Sequence, residues 1–224
     1  MKAMLLAAGL GQRMADLTSN RPKPLIEVAG RSLIERHLDA LAAAGFSEVI
    51  INVWYLADQI VDQLADGESY GLNIQYSEEP ERLETGGGIK HALPLLGDAP
   101  FLVISSDILI NVDYASLNRE LAPMFDAHLL LIDNPAHHPN GDFSLHEGRL
   151  SRGKAKLTYS GVGVLRPQIF QDEDRDIFPL RDVLFPLVDS GRVSGEAWPG
   201  YWSDVGTLER LRQTEADIRA GRCP

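Results

Sequence analysis

A short stretch near the amino terminus combines glycines with positive charge. Gly9 and Gly11 follow an apolar run at residues 4–6, and Arg13 and Lys23 come shortly after them. Glycine permits backbone angles that other residues avoid, so successive N–H groups can turn toward one anion. Arginine adds a forked hydrogen-bond donor and lysine adds a compact charge. The spacing therefore predicts a polyphosphate cradle that follows a buried first strand.

Other interpretations of a glycine loop fit this segment less well. The chain has no Gly-x-x-x-x-Gly-Lys-Ser/Thr run, which excludes a P-loop. A dinucleotide-binding loop needs a third glycine, and Met14 stands at that position. An ordinary strand-to-helix turn would explain a lone Gly-x-Gly, but Arg13 and the Pro-Lys-Pro run at 22–24 favour the phosphate cradle.

Two aspartates farther along the chain are candidate metal ligands. Asp107 follows an apolar strand predicted at 101–104, and Asp204 lies in the run Trp-Ser-Asp-Val-Gly-Thr at 202–207. Carboxylates at strand ends suit Mg²⁺, which takes oxygen ligands and often only one or two protein carboxylates. Each aspartate, taken alone, also fits a turn or a helix cap. The residues themselves leave both interpretations open.

Together these motifs resemble the signature of the sugar-1-phosphate nucleotidylyltransferases. The matching residues are Leu6-Ala7-Ala8-Gly9-x-Gly11-x-Arg13-Met14, Leu17-Thr18 and Pro22-Lys23-Pro24-Leu25. The chain departs from the family at Asp16, where a proline is usual, and at Ser105-Ser106, where Asn-Gly usually precedes the aspartate. The resemblance implies Mg²⁺-dependent transfer of a nucleotidyl group from a nucleoside triphosphate to a sugar 1-phosphate, with release of pyrophosphate.

The resemblance also implies a role for individual residues. Arg13 and Lys23 would be catalytic, and Asp107 and Asp204 would hold Mg²⁺. The expected nucleotide contacts are Ala8, Gly9, Gly11, Gln12, Arg13, Lys23, Glu79, Thr85 and Gly87. The expected sugar contacts are Ser105, Asp142, Ser160 and Gly161. The glycine run at 86–88 would let a flat base or ribose approach the backbone closely.

The sugar side of the resemblance is less complete. The family's Glu-Lys-Pro motif is absent, and Lys154 and Lys156, which stand near its position, fit solvated surface lysines better. His137 and His138 have no cysteine nearby and no third ligand at a useful spacing, so we interpret them as loop histidines rather than zinc ligands.

The resemblance narrows the substrate further. The run at 83–97 is most similar to the branch that makes UDP-N-acetylmuramic acid from UTP and N-acetylmuramic acid 1-phosphate in cell-wall recycling. Mannose-1-phosphate guanylyltransferases and glucose-1-phosphate thymidylyl- or uridylyltransferases are the alternatives within the family. A nucleotide sensor without turnover is the alternative of another class, although a pure sensor needs no complete metal site.

Composition restricts the remaining possibilities. The chain has 224 residues and a net charge of −11, which argues against a nucleic-acid partner. We find no membrane-spanning run and no signal peptide, and the single cysteine, Cys223, excludes an internal disulfide. We therefore expect a cytoplasmic enzyme. Its oligomeric state cannot be derived from these features.

The periodicity of apolar residues predicts an α/β fold. We expect a Rossmann-like, mainly parallel sheet with helices on both faces and a small β lid over the sugar. The predicted strands cover 48–53, 72–76, 101–104, 128–132, 142–145, 157–165 and 193–198, and the predicted helices 32–44, 57–64, 86–96, 117–124, 179–188 and a last one capped by Thr207. We treat 1–224 as one domain, with 1–133 mainly for the nucleotide and 134–224 mainly for the sugar and the second metal carboxylate.

Overall fold

The computed structural model describes residues 1–117, 121–154 and 156–223, apart from the side chains of Gln12, Ala15 and Asp16. Within these ranges the strands are β1 Ala3–Leu6, β2 Glu27–Val28, β3 Arg31–Ser32, β4 Glu48–Val53, β5 Asn73–Glu78, β6 Phe101–Ser105, β7 Ile108–Ile110, β8 Ala127–Ile132, β9 Ser144–His146, β10 Arg149–Ser151, β11 Thr158–Leu165, β12 Val193–Ala197 and β13 Trp202–Asp204. The α-helices are α1 Ala15–Thr18, α2 Leu33–Ala43, α3 Ala57–Leu64, α4 Glu84–Leu96, α5 Arg181–Asp189 and α6 Leu208–Arg219.

Nine of the described strands form one central sheet, in the order β5-β4-β1-β6-β11-β8-β12-β10-β9. The pairs β5–β4, β4–β1, β1–β6 and β8–β12 are parallel, and β11 runs antiparallel to both of its neighbours. The predicted α/β architecture is confirmed. The strands predicted at 142–145 and 157–165 as a small lid belong to this sheet, in which β11 lies inside and β9 lies at the far edge.

Helices cover both faces of this sheet. Alternate residues of a strand point to opposite faces, so Leu5 of β1 packs in a cluster with Leu38 of α2 and Ile60 of α3. Met4, its neighbour in β1, packs on the other side with Ile89 of α4. Because both faces are buried, β1, β4 and β6 are almost continuously apolar.

The helix boundaries follow local chemistry. The Ser32 hydroxyl accepts from the Glu35 N–H, and the Glu35 carboxylate accepts from the Ser32 N–H, which makes a capping box at the start of α2. Thr207 caps α6 as expected by accepting from the N–H of Arg210 at 3.2 Å. The helix predicted at 117–124 is wrong, because Leu117 ends a 3₁₀ turn and 121–124 are not helical. Residues 118–120 lie outside the described part.

A separate two-stranded ladder joins the two halves of the chain. In it β7 pairs with β13 in antiparallel fashion, with Ile108 opposite Asp204 and Ile110 opposite Trp202. Within the described ranges, the helices all fall short of the length and apolar content that a bilayer crossing requires.

Candidate active site

The carboxyl ends of β1 and β6 open onto a cavity of about 460 Å³. Predicted nucleotide contacts that line it are Ala8, Gly9, Lys23, Glu79 and Thr85. In an open α/β sheet, ligands bind outside the carboxyl ends of parallel strands. The cavity therefore lies where the sequence predicts the nucleotide.

Glu79 belongs to a buried polar bridge in the wall of this cavity. Asn52 at the end of β4 accepts from the Ala7 N–H at 2.9 Å and donates through Nδ2 to Glu79 Oε1 at 2.6 Å. The second carboxylate oxygen of Glu79 accepts from the Leu83 N–H at 3.1 Å. Burial raises the pKa of Glu79 above its ordinary value, and these two hydrogen bonds oppose the shift. Glu79 thus fixes the first loop and the start of α4 relative to each other, and its contact with a base stays a prediction.

The glycine run is covered by protein rather than open to a ligand. A Cβ at Gly86 would meet the Phe178 ring at 2.4 Å, and one at Gly87 would meet the Asp176 carbonyl oxygen at 2.0 Å. A Cβ at Gly88 would meet Glu79 Oε1 at 2.4 Å. Gly87 lines neither cavity described here, and its contact with the nucleotide stays a prediction. These glycines let α4 pack against its neighbours.

Gly11 and Gln12 are two further predicted nucleotide contacts. Gly11 has a φ of +62°, and a Cβ there would approach Thr18 Cγ2 to 2.8 Å. Its carbonyl oxygen accepts from the Thr18 hydroxyl at 3.0 Å, so Gly11 shapes the loop and does not line the cavity. The side chain of Gln12 lies outside the described part of the structure.

The two candidate metal ligands lie on adjacent strands. Asp107 immediately precedes β7, and Asp204 is the last residue of β13, opposite Ile108. The backbone N–H of Val205 donates to the carbonyl oxygen of Asp107 at 2.9 Å. Both aspartates line a second cavity of about 590 Å³, which shares Ser105, Asp107 and Thr85 with the first. Asp107 therefore lies where the two cavities adjoin, and Asp204 lies on the wall of the second.

The surroundings of Asp204 fit a bound cation. Its Oδ1 atom is buried and makes no hydrogen bond to the described residues, although His137 Nε2 lies 3.3 Å away. Its Oδ2 atom lies 3.1 Å from Arg210 Nη2. A buried carboxylate oxygen without a hydrogen-bond partner is costly, and a divalent cation would satisfy it. In the described residues no group of three acidic, histidine or cysteine side chains that could hold a metal ion is found.

Lys23 reaches the same place from the first loop. It is buried within the 3₁₀ turn Lys23–Leu25, and its Nζ forms an ion pair with Asp107 Oδ2. Pro22 and Pro24 restrict the backbone on both sides of it. A buried lysine beside a carboxylate that faces the cavity is placed to exchange that partner for a phosphate.

Arg13 lines the second cavity, close to the segment after Asp204. A Cβ built at Gly206 would lie 3.3 Å from Arg13 Nη2 and 2.2 Å from Arg210 Nη2. The absence of a side chain at position 206 lets both guanidinium groups approach the strand end. The sequence indicated Arg13 but not Arg210.

The four predicted sugar contacts all line the second cavity. Asp142 Oδ2 accepts from the Tyr159 N–H at 2.8 Å, and its Oδ1 lies 3.1 Å from His138 Nε2. The register of β11 shifts between Tyr159 and Gly163, which turns Ser160 and Gly161 out of the regular ladder. Gly161 has a φ of +88°, and a Cβ there would meet Ser105 Oγ at 2.8 Å.

Several lining residues were not predicted from the sequence. They are Asn52, Arg82 and Arg181 in the first cavity, and His137, His138, Arg181, Phe185 and Trp202 in the second. The histidines are loop residues as expected, yet they face the cavity. Lys154 and Lys156 line neither cavity, in agreement with a surface role. A polar residue near the end of an apolar strand, as at Asn52, was a signal that could have been used.

Comparison with known proteins decides the family. Residues 2–142 match the family described as "Nucleotidyl transferase". The chain belongs to this family. Two relatives extend the match to nearly the whole chain. The N-acetylmuramate alpha-1-phosphate uridylyltransferase of Neisseria meningitidis serogroup B is 47% identical, over 96% of this chain and 97% of its own. The protein of the same name from Caulobacter vibrioides is 40% identical, over 96% of both chains.

The fold has a close counterpart among solved structures. A putative glucose-1-phosphate thymidylyltransferase from Bacillus anthracis superposes with a TM-score of 0.88, over 98% of this chain and 95% of its own. Its sequence identity is 18%, so this likeness concerns the fold. With the two relatives, it confirms the predicted sugar-1-phosphate nucleotidyltransferase fold and family.

Proposed function

We propose that the protein transfers a uridylyl group from UTP to N-acetylmuramate α-1-phosphate, forming UDP-N-acetylmuramate and pyrophosphate. The observation that carries the reaction type is a pair of adjoining cavities in which Asp107 lines both and Asp204 lines the second. The choice of uracil and of this sugar acid is supported by the two relatives of that name, which align with this chain over almost their whole length.

The reaction needs no nucleophilic side chain. An oxygen of the sugar phosphate attacks the α-phosphorus of UTP, the bond from that phosphorus to the β-phosphate oxygen breaks, and pyrophosphate leaves from the opposite side. Because the attacking group is already an anion, no general base is required. The protein must align two anions that repel each other and neutralise the charge that develops between them.

The described residues can carry out these tasks. Asp107 and Asp204 would hold Mg²⁺, which when bound would neutralise charge at the α-phosphate. Arg13 would contact the triphosphate from the glycine loop, and Lys23 would release Asp107 and bind the attacking phosphate. Lys23 lines the first cavity and forms an ion pair with Asp107, and Arg13 lines the second cavity.

The sugar would occupy the second cavity. Asp142, Ser160 and Gly161 lie on its wall, and Ser105 lies where the two cavities join. Asp142 keeps its hydrogen bond to Tyr159 and can accept from a sugar hydroxyl with the same carboxylate. The cytoplasm, where nucleoside triphosphates are made, is the compartment that this proposal requires.

A matrix of substrates tests the proposal. The protein is incubated with Mg²⁺ and each of UTP, GTP, dTTP and CTP, paired with the 1-phosphates of N-acetylmuramate, N-acetylglucosamine, mannose and glucose, and pyrophosphate release is measured. The proposal predicts the highest kcat/KM for UTP with N-acetylmuramate 1-phosphate. Preference for GTP with mannose 1-phosphate would contradict it, and so would nucleotide binding without pyrophosphate release in every pair.

A further inference from the structure

The second cavity contains an arginine that the reaction as described does not use. Arg181 is the first residue of α5, it is exposed, and it lines both cavities. It makes no hydrogen bond or ion pair with the described residues, although Asp182 beside it pairs with Arg175. A cation at a helix amino terminus is unfavourable, because the helix dipole is positive there. An anionic ligand would remove this cost.

The other basic side chains of the second cavity are Arg13 and two histidines that have carboxylates nearby. His137 Nε2 is 3.3 Å from Asp204 Oδ1, and His138 Nε2 is 3.1 Å from Asp142 Oδ1. Arg13 lies beside Gly206, next to the candidate metal ligands. Because the proposed reaction assigns Arg13 to the triphosphate, Arg181 is the arginine of this cavity that is left for an additional negative charge.

The helix face that carries Arg181 is otherwise apolar. Leu184 and Phe185 follow Arg181 by three and four residues, so they share its side of α5, and both line the second cavity. The Phe185 ring is held edge-on to Phe143, with ring centroids 5.8 Å apart. The guanidinium carbon of Arg152 lies 4.8 Å from the centroid of the same ring, but Arg152 is paired with Asp189 and lines neither cavity. This wall of the cavity thus combines Arg181 with a fixed apolar surface.

N-acetylmuramate has a group with this combination of properties. It differs from N-acetylglucosamine by a lactic acid ether, which adds a carboxylate and a methyl group to the sugar ring. A carboxylate suits the forked donors of an arginine, and the methyl group suits a wall of leucine and phenylalanine. A neutral hexose would leave Arg181 without a partner and the apolar wall partly hydrated.

We infer that Arg181 binds the lactyl carboxylate of the sugar substrate and so selects N-acetylmuramate 1-phosphate over the same sugar without the lactyl ether, with Leu184 and Phe185 contacting the lactyl methyl group. This inference rests on the proposed function. Arg181 acts on specificity, and the reacting phosphates are left to Arg13, Lys23 and the two aspartates.

Arg181→Gln tests the inference through two substrates that share the reacting phosphate. We expect kcat/KM for N-acetylmuramate 1-phosphate to fall roughly 10- to 100-fold, and kcat/KM for N-acetylglucosamine 1-phosphate to stay within about twofold. Arg181→Lys should restore part of the preference, because it retains the charge but not the fork. Arg212→Gln is the matched control, since Arg212 is exposed on α6 and lines neither cavity.

A second measurement is independent of turnover. Free N-acetylmuramate should inhibit the native enzyme more strongly than free N-acetylglucosamine does, and Arg181→Gln should abolish this difference. An equal loss with both sugar phosphates would overturn the inference, because Arg181 would then act on the common phosphate. Unchanged selectivity in both measurements would overturn it as well. Failure of the native enzyme to use N-acetylmuramate 1-phosphate would instead refute the proposed function, before any variant is made.

Discussion

Asp107 and Asp204 lie side by side although 96 residues separate them, because the Val205 N–H donates to the Asp107 carbonyl oxygen at 2.9 Å. This bond continues the ladder in which Asp204 faces Ile108. The two aspartates thus come from distant parts of the chain and line the same cavity, and Asp107 also lines the other one. The small ladder of β7 and β13 is therefore the element on which the proposed reaction depends most.

Removing the charge of Lys23 should slow the reaction without unfolding the protein. We expect Lys23→Gln to lower kcat by about 100-fold, because the positive charge that we propose contacts the reacting phosphates is lost. Steady-state pyrophosphate release measures the effect. Lys154→Gln removes an exposed lysine that lines neither cavity and should leave kcat unchanged. Near-native kcat in a folded Lys23→Gln variant would exclude the proposed role of Lys23.

Alanine substitutions at two glycines should differ in their effect on the stability of the protein. Gly87→Ala should lower the free energy of unfolding by about 3 kcal/mol, because its Cβ would meet the Asp176 carbonyl oxygen, which is backbone and cannot rotate away. Gly9→Ala should leave stability nearly unchanged, since nothing lies within 4 Å of a Cβ there. Urea unfolding followed by circular dichroism measures both. Equal stability of the two variants would show that α4 packs less tightly than described.

His37 should make the protein less stable in mild acid. Its Nε2 lies 2.9 Å from the Ile108 carbonyl oxygen and its Nδ1 lies 2.8 Å from the Tyr114 hydroxyl. A carbonyl can only accept, so Nε2 carries the hydrogen and Nδ1 accepts from Tyr114. Burial lowers the pKa of His37 from 6.5 to about 4. The neutral ring is thus the form that fits the folded protein.

Proton binding to His37 in the unfolded chain lowers the stability of the folded protein as the pH falls. Between pH 6.5 and about 4 the unfolded chain binds a proton at His37 and the folded protein does not, so stability falls as the pH falls through this range. We expect a loss of about 2 kcal/mol between pH 7.5 and pH 5 from this residue. His37→Asn should remove that part of the pH dependence, and His146→Gln, at an exposed site, should not. Parallel pH profiles for the native protein and His37→Asn would contradict the assignment.

Local patterns predicted much of the fold and part of the candidate site. Apolar periodicity placed α2, α3, β4 and β8 within about a residue or two of the observed bounds. The position of Asp107 after a buried strand made it a candidate, since strand ends are ligand-binding positions, and the family resemblance indicated its role. These features depend on neighbouring residues and can be derived from short segments.

The remaining features depend on contacts between distant segments. The glycine run looks the same in sequence whether a base or the backbone of Asp176 approaches it, and the structure shows the backbone. The pairing of β7 with β13, which brings Asp204 to Asp107, leaves no periodic signal in either short strand. The position of Arg181 follows from how α5 packs on the sheet. Its location at a helix amino terminus was the single local indication.

Binding of Mn²⁺, measured by electron paramagnetic resonance, tests the central claim most directly, namely that Asp107 and Asp204 hold one divalent cation together. The native protein should bind one Mn²⁺ per chain in competition with Mg²⁺. Asp107→Asn and Asp204→Asn should each weaken Mn²⁺ binding strongly, and the double variant should bind little worse than either single one. Asp133→Asn is the control, because Asp133 is exposed and lies outside both cavities, and it should bind Mn²⁺ as the native protein does. Unchanged Mn²⁺ affinity in either single variant, or two independent sites that are lost one at a time, would contradict the account.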